Sequence, residues 1–184
     1  MNPGMGELMA QPGKREEATA ALLGGFCLFL STLEYLIPKP LPFMRLGLAN
    51  VPLMLALDIV GLKYVVLLVF IKVLGQAIIT GTLVSYICLF SLAGTCSAAT
   101  TMYLLRRLLS PKRMSFIGVS VIGALFSNGA QLILARFFIF GSGIALLVPP
   151  FLIAGILTSI SLGIFCETFI SRSRWYHQQI RPVL

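Results

Sequence analysis

The sequence predicts an all-α integral membrane protein, a six-helix transmembrane bundle with a short or broken second helix. Hydrophobic residues make up 58% of its 184 residues and charged residues only 11%, whereas soluble domains carry roughly 25% charged residues. The mean hydropathy is +0.95. Apolar stretches of about 20 residues, the length of a helix that crosses the hydrocarbon core, recur along the chain. They lack the every-second-residue alternation of transmembrane β-barrels.

Six apolar segments are separated by short connections, which predicts one compact bundle without a soluble domain. The segments cover residues 18–37, 46–60, 62–79, 83–105, 115–140 and 145–171. The predicted transmembrane domain therefore spans residues 18–171. It lies between a polar N-terminal tail, residues 1–17, and a basic C-terminal tail, residues 172–184.

The positions of lysine and arginine predict the orientation, because these residues concentrate in cytoplasmic loops. If the N-terminus is cytoplasmic, ten of the fourteen are cytoplasmic as well: Lys14, Arg15, Lys63, Arg106, Arg107, Lys112, Arg113, Arg172, Arg174 and Arg181. We therefore expect a multi-pass protein with both termini in the cytoplasm. The net charge of +8 is then explained by orientation in the lipid bilayer, and nucleic acid is not a predicted partner.

Four cations are left in or near the outer half of the bundle, namely Lys39, Arg45, Lys72 and Arg136. Among the acidic residues only Glu34 lies at that depth. A lysine or arginine at the bilayer centre costs about 2.5–3.5 kcal/mol on insertion scales. A polar cavity that accepts an anion from outside would resolve the imbalance. The alternative is that these side chains snorkel to the headgroups or bond to backbone carbonyls.

Other polar residues occur at the same depth as these cations. Lys72, Gln76 and Thr80 form a stripe at four-residue spacing on the third segment, and the fifth segment carries an Asn, a Gln and an Arg on one broad side. Such residues also hold membrane helices together without any ligand, which is the alternative for each one alone. The candidate substrate-binding residues are Glu34, Arg45, Asn50, Lys72, Gln76, Asn128, Gln131 and Arg136.

The second segment is unusual because Asn50 and Pro52 lie near its start. Proline is tolerated in a first helical turn, and asparagine is a good N-cap. A regular helix over residues 51–60 would be about 15 Å long, half the thickness of a bilayer. The preceding residues would then enter as irregular chain that lines a cavity. The alternative is an ordinary helix that begins near Pro42 and is kinked by Pro52.

The residue types argue against catalysis and against a bound metal or cofactor. The cysteines, Cys27, Cys88, Cys96 and Cys166, form no CxxC pair, and His177 is the single histidine. Asp58 is the only aspartate, so the Asp-rich motif that would hold Mg²⁺ for prenyl transfer is missing. No GxxxxGK[ST] motif occurs, so any coupling to ATP would require partner subunits.

The stretches "IPKPLPFMRLGLANVPLMLAL" and "IGVSVIGALFSNGAQLILARFFIF" resemble the Gx transporter family, also labelled heptaprenyl diphosphate synthase component I. The resemblance covers most of residues 20–170. Ser127-Asn128 stands where that family often has His-Asn, so no role of a histidine is carried over. The family is similar to the S-components of energy-coupling factor (ECF) transporters of the bacterial cytoplasmic membrane. S-components bind substrate near the outer face, beneath the loop that joins the first two helices.

The resemblance implies partners as well as a substrate. S-components dock through small residues of the first helix to a coupling membrane subunit, which two ATPase subunits drive. In this chain "ATAALLGG" provides two small-residue pairs, Ala20/Gly24 and Ala21/Gly25, although such pairs also serve packing within a bundle. We therefore expect the substrate-binding subunit of an ECF-type transporter for a small anionic metabolite, with isoprenoid-, quinone- or flavin-related compounds suggested by family context. The alternatives are a non-transporting membrane subunit of a redox or quinone/flavin assembly and a prenyl diphosphate synthase component.

Overall fold

The computed structural model describes residues 12–38, 46–109 and 114–179, and within these ranges the regular structure is entirely helical. Seven α-helices follow one another: α1 (Pro12–Leu36), α2 (Asn50–Ala56), α3 (Leu62–Ile79), α4 (Tyr86–Leu108), α5 (Phe116–Ala135), α6 (Val148–Arg172) and α7 (Arg174–Gln179). A π-helical segment, Arg136–Phe140, and a 3-10 segment, Gly141–Leu146, connect α5 to α6. The prediction of an all-α protein is confirmed.

Five of the helices are long and apolar enough to cross a membrane. The spans are Gly13–Leu36, Leu62–Ile79, Tyr86–Leu108, Phe116–Phe140 and Val148–Arg172. Large apolar side chains lie on their outer surface, as Phe29, Ile78 and Leu157 show with exposed fractions of 61%, 67% and 61%. Such a surface is unfavourable in water and suits contact with lipid chains. The protein is therefore a membrane helical bundle.

The second predicted segment is short, as expected. The helix α2 has seven residues, about 10 Å by the rise per residue, and Val51–Ala56 are all buried. Asn50 is its first residue and not its N-cap, so that detail of the prediction is wrong. The cap position belongs to Ala49, whose methyl side chain cannot accept a capping hydrogen bond, and the Asn50 side chain bonds to Lys72 instead. The alternative prediction, an ordinary helix that begins near Pro42 and is kinked by Pro52, is wrong as well, since residues 46–49 are not helical.

Both predicted tails contain helical residues. The first helix begins at Pro12, six residues before the predicted start, because proline suits the first position of a helix and the Lys, Arg and Glu residues that follow have high helix propensity although they are not apolar. At the other end, α7 lies within the predicted C-terminal tail. Residues 1–11 and 180–184, and the predicted cytoplasmic cations Lys112, Arg113 and Arg181, lie outside the described residues.

The helices pack through close approaches at glycines. The helix α5 packs along both α4 and α6, and α1 packs along α3. A Cβ atom at Gly163 of α6 would lie 2.5 Å from the Cα of Ile117 in α5, so only glycine fits there. Gly75 of α3 likewise leaves room for the Leu28 side chain of α1. These contacts bring polar residues in the middle of the helices within reach of one another.

Candidate functional site

A polar cavity of about 30 Å³ lies inside the bundle, between α1, the α1–α2 connection and α2 to α6. Its lining includes nine polar side chains: Glu34, Asn50, Lys72, Thr95, Ser120, Ser127, Asn128, Thr158 and Ser159. The remaining lining is small or aliphatic. A concentration of polar groups inside an apolar membrane bundle is the feature that a functional site would need.

The lysine of the cavity is held by the second helix. Lys72 of α3 is 3% exposed, and its Nζ donates a hydrogen bond to Asn50 Oδ1 over 2.5 Å. The chain turns into α2 at Gly47, where φ is +85°, and a Cβ there would lie 3.1 Å from Asn50 Nδ2. Glycine is therefore required both for the backbone conformation and for the space beside the amide. This turn explains why Gly47 and Asn50 occur together in the sequence.

The carboxylate of the cavity joins α1 to the α1–α2 connection. Glu34 is 4% exposed, and its Oε1 accepts a hydrogen bond from the Leu46 N–H over 2.8 Å. The contact ties the last turn of α1 to the chain that enters α2. Lys39 and Arg45 belong to residues 39–45 of this connection and lie outside the described residues. Among the residues described, one cation and one carboxylate thus share the cavity wall.

The amides of α5 occupy two neighbouring positions. Asn128 is buried in the cavity wall, and its amide fills the space left by the missing side chain of Gly155 in α6. One turn further along, Gln131 is fully buried and its Nε2 donates to Ser127 Oγ over 3.1 Å. Gln131 Oε1 has no hydrogen-bond partner among the described residues, and neither has Ser91 Oγ on α4. A buried polar atom without a partner is unfavourable by about 1–3 kcal/mol.

The structure brings some of the predicted site residues together and separates others. Four of them line the cavity: Glu34, Asn50, Lys72 and Asn128. Gln76 and Gln131 are buried one helical turn away but do not line it.

Arg136 does not converge on the cavity. It is exposed at the start of the π-helical segment, because five residues of helix turn it about 140° away from Gln131. Its exposure agrees with the snorkelling alternative. Of the four outer cations, only Lys72 is found in the cavity wall as far as the chain is described.

Sequence reasoning missed the hydroxyl groups of the cavity, those of Thr95, Ser120, Thr158 and Ser159. Two of them bond to their own helix, Thr158 Oγ1 to the Ala154 carbonyl at 3.0 Å and Ser159 Oγ to the Ile156 carbonyl at 2.9 Å. Serine and threonine that bond in this way look like ordinary residues of a membrane helix. The available signal was their clustering beside Gly155 on one side of α6.

The cavity is small in the conformation described. A volume of about 30 Å³ is roughly a tenth of that of the smallest small-molecule sites, which have about 300–1,000 Å³. A metabolite would therefore need the cavity walls to separate.

A second polar cluster lies at the other end of α2. Arg106 of α4 forms an ion pair with Asp58 through both carboxylate oxygens, with 3.0 Å between Nε and Oδ1. Tyr176 of α7 donates its hydroxyl to Asp58 Oδ2 over 3.1 Å. Burial, together with the neighbouring carboxylate, raises the pKa of Tyr176 far above its usual range. Arg106 was predicted only as an orientation signal, but it is also part of a network that joins the α2–α3 turn, α4 and α7.

The two small-residue pairs of α1 face different directions. Ala20 is buried, and a Cβ at Gly24 would lie 3.3 Å from Ile71 Cδ1 in α3, so this pair serves packing within the bundle. Ala21 and Gly25 are exposed, and a Cβ at Gly25 would meet nothing within 4 Å. The second pair is therefore available on the outer surface.

The described residues contain no group of three His, Cys, Asp or Glu side chains that could hold a metal ion. Among known proteins, a family model described as heptaprenyl diphosphate synthase component I matches residues 23–169. No curated protein and no solved structure matches the chain.

Proposed function

This chain belongs to the heptaprenyl diphosphate synthase component I family, also called the Gx transporter family, and we propose that it is the substrate-binding membrane subunit of an ECF-type transporter. The observation that carries the proposal is the polar cavity around Lys72 inside an apolar bundle. Its position next to the connection between α1 and α2 fits the substrate site of S-components.

A binding role explains the cavity better than helix–helix adhesion does. Adhesion requires pairs of polar groups that satisfy each other across an interface. Here the polar side chains of six helices, α1 to α6, converge on one cavity. Polar groups in the middle of membrane helices are costly, and they typically mark substrate or ion pathways.

The lining suggests what kind of substrate the protein accepts. The Lys72 ammonium would bind an anionic or other hydrogen-bond-accepting group, while Glu34, Asn50 and Asn128 would bind neighbouring donors or acceptors. Since the described wall contains one cation and one carboxylate, it favours a small polar compound with a single anionic group over one with several.

The proposed partners are a coupling membrane subunit and its ATPase subunits. Ala21 and Gly25 are exposed on the first membrane span, where small residues allow another helix to approach closely. We propose that the coupling subunit docks there. The ten-to-four distribution of cations supports an orientation with both termini in the cytoplasm.

Native mass spectrometry of the purified protein tests the proposal. We expect wild-type protein to retain a co-purified small molecule and Lys72→Gln protein to retain much less. Uptake of the identified compound by cells, with and without the ATPase module, then tests transport. Wild-type protein without any bound small molecule, together with no uptake, would refute the proposed function.

A further inference from the structure

A groove of about 370 Å³ lies between the beginning of α1 and the C-terminal helix α7. Arg15, Ala18, Thr19 and Leu22 of α1 line one side, and Trp175 and Gln179 of α7 line the other. The charged residues Lys14–Glu17 give way to the apolar part of α1 at Ala18, and Leu22 is 60% exposed. One end of the groove is therefore at headgroup depth, and the other reaches the hydrocarbon about 10 Å further along the helix.

Among the described residues, the guanidinium at the headgroup end has few hydrogen-bond partners. Arg15 Nε donates to Gln179 Oε1 over 3.1 Å, and Arg15 Nη2 donates to the Gln178 carbonyl over 2.8 Å. Both acceptors are uncharged. An arginine has five N–H donors, so within the described ranges three have no protein acceptor, and no carboxylate there pairs with this cation. Its planar donor arrangement suits a phosphate group, which it can bind through two parallel hydrogen bonds.

The rest of the groove suits the remainder of a phospholipid. Ala18 and Leu22 provide an apolar wall, and tryptophan is enriched at the level of the headgroups because its ring is apolar and its N–H is polar. Basic pockets between membrane helices also favour anionic headgroups. We propose that this groove binds an anionic phospholipid, with its phosphate on Arg15 and its first acyl carbons along Ala18 and Leu22. The lipid would lie against both α1 and α7.

Fluorescence of Trp175, the only tryptophan in the chain, can measure the binding directly. The full chain is reconstituted in phosphatidylcholine vesicles that contain a fixed fraction of either dibrominated phosphatidylglycerol or dibrominated phosphatidylcholine, since bromine quenches a nearby indole. We expect the quenching to correspond to about a fivefold preference for phosphatidylglycerol, which is the factor for roughly 1 kcal/mol per basic residue at the surface. Equal quenching by the two lipids would overturn the proposal.

Two charge variants separate the groove from the general surface potential. Arg15→Gln should abolish the preference, so that the two brominated lipids quench Trp175 about equally. Arg107→Gln removes an exposed cation of α4 whose Nη1 bonds to Tyr103, and it should leave the preference unchanged. If the two variants lose the preference equally, the attraction comes from the overall charge of the surface and the proposed groove is wrong.

A third variant controls for detachment of α7. Because Arg15→Gln also removes hydrogen bonds to α7, the emission maxima of Trp175 in the wild type and in Arg15→Gln are first compared in vesicles without brominated lipid. Ala18→Phe fills the groove and leaves the contacts of Arg15 intact, because Ala18 is exposed and makes none of them. It should reduce quenching by dibrominated phosphatidylglycerol about as much as Arg15→Gln does. A preference that persists in Ala18→Phe would refute binding in the groove.

Discussion

Replacing Lys72 with glutamine removes the one positive charge that the described residues bring to the wall of the polar cavity. The change keeps a side chain that can donate a hydrogen bond to Asn50, so the local packing changes little. Lys72 is 3% exposed, and water therefore screens its interaction with a bound anion only weakly. The substitution is thus a direct test of whether the buried ammonium serves a substrate.

The size of the effect follows from the strength of a hydrogen bond to a charged group. Such a bond contributes about 1.5–3 kcal/mol, and about 1.4 kcal/mol corresponds to a factor of ten in affinity. Lys72→Gln should therefore weaken substrate binding by roughly tenfold to a hundredfold. If Lys72 serves only to hold Asn50 at the start of α2, the affinity should be the same in both proteins.

The assay is calorimetric titration with the compound that native mass spectrometry identifies in the wild-type protein. The matched control is Lys63→Gln, which makes the same chemical change at an exposed position of the same helix. We expect the control to bind like the wild type. Equal affinity of the wild type and Lys72→Gln would refute the role of Lys72 in the site, and equal losses in the two variants would indicate a nonspecific effect of charge.

Five further substitutions test the docking surface, the helix packing and the polar cluster around Asp58. Gly25→Leu should abolish co-purification with a coupling subunit without loss of thermal stability, since a Cβ there meets nothing; unchanged co-purification would refute docking at this face. In a thermal-unfolding assay, Gly163→Ala should destabilise the protein by about 1–3 kcal/mol, because the added Cβ meets the backbone of the neighbouring helix. The control Gly129→Ala, where nothing lies within 4 Å of the added Cβ, should be neutral or stabilising by up to about 1 kcal/mol. Arg106→Gln should lower the free energy of unfolding by about 3 kcal/mol, because it removes the cation that pairs with the partly buried carboxylate of Asp58. Tyr176→Phe should lower the free energy of unfolding by about 1 kcal/mol, because it removes one hydrogen bond to Asp58. Because the folded-state pKa of this tyrosine is raised, its contribution should be present below pH of about 10 and be lost as the pH rises further, as the unfolded tyrosine ionises.

The membrane helices could be predicted from the sequence because bilayer thickness imposes their length. An apolar run of about 20 residues is rare outside membrane spans, and the helices start within a few residues of the predicted positions wherever the apolar run itself begins. Hydropathy does not reveal that α1 extends back to Pro12 or that α7 exists, because both segments are polar. They depend on local helix propensity and on contacts between distant residues, such as that of Arg15 with Gln179.

The site could be predicted in part, for a related reason. Lys72 and Asn128 are conspicuous because polar groups of their size are costly in a membrane, and both line the cavity. Thr158 was not conspicuous, because its hydroxyl bonds to its own helix. Arg136 belongs to the predicted membrane span, but its side chain is exposed and does not line the cavity. Depth follows from the count of residues along a helix, whereas direction depends on how each helix is rotated in the bundle, which the charge pattern does not specify.

The second helix connects the two polar clusters, which gives its sequence a physical basis. Asn50, at its start, holds Lys72 in the cavity, and Asp58, two residues beyond its end, holds Arg106 and Tyr176. Every residue from Val51 to Ala56 between them is buried and apolar. A seven-residue helix packed in this way moves as a rigid body, because its side chains are interdigitated with their neighbours. Any widening of the cavity that displaces Asn50 must therefore either be absorbed in the turn after Ala56 or disturb the ion pair at the far end.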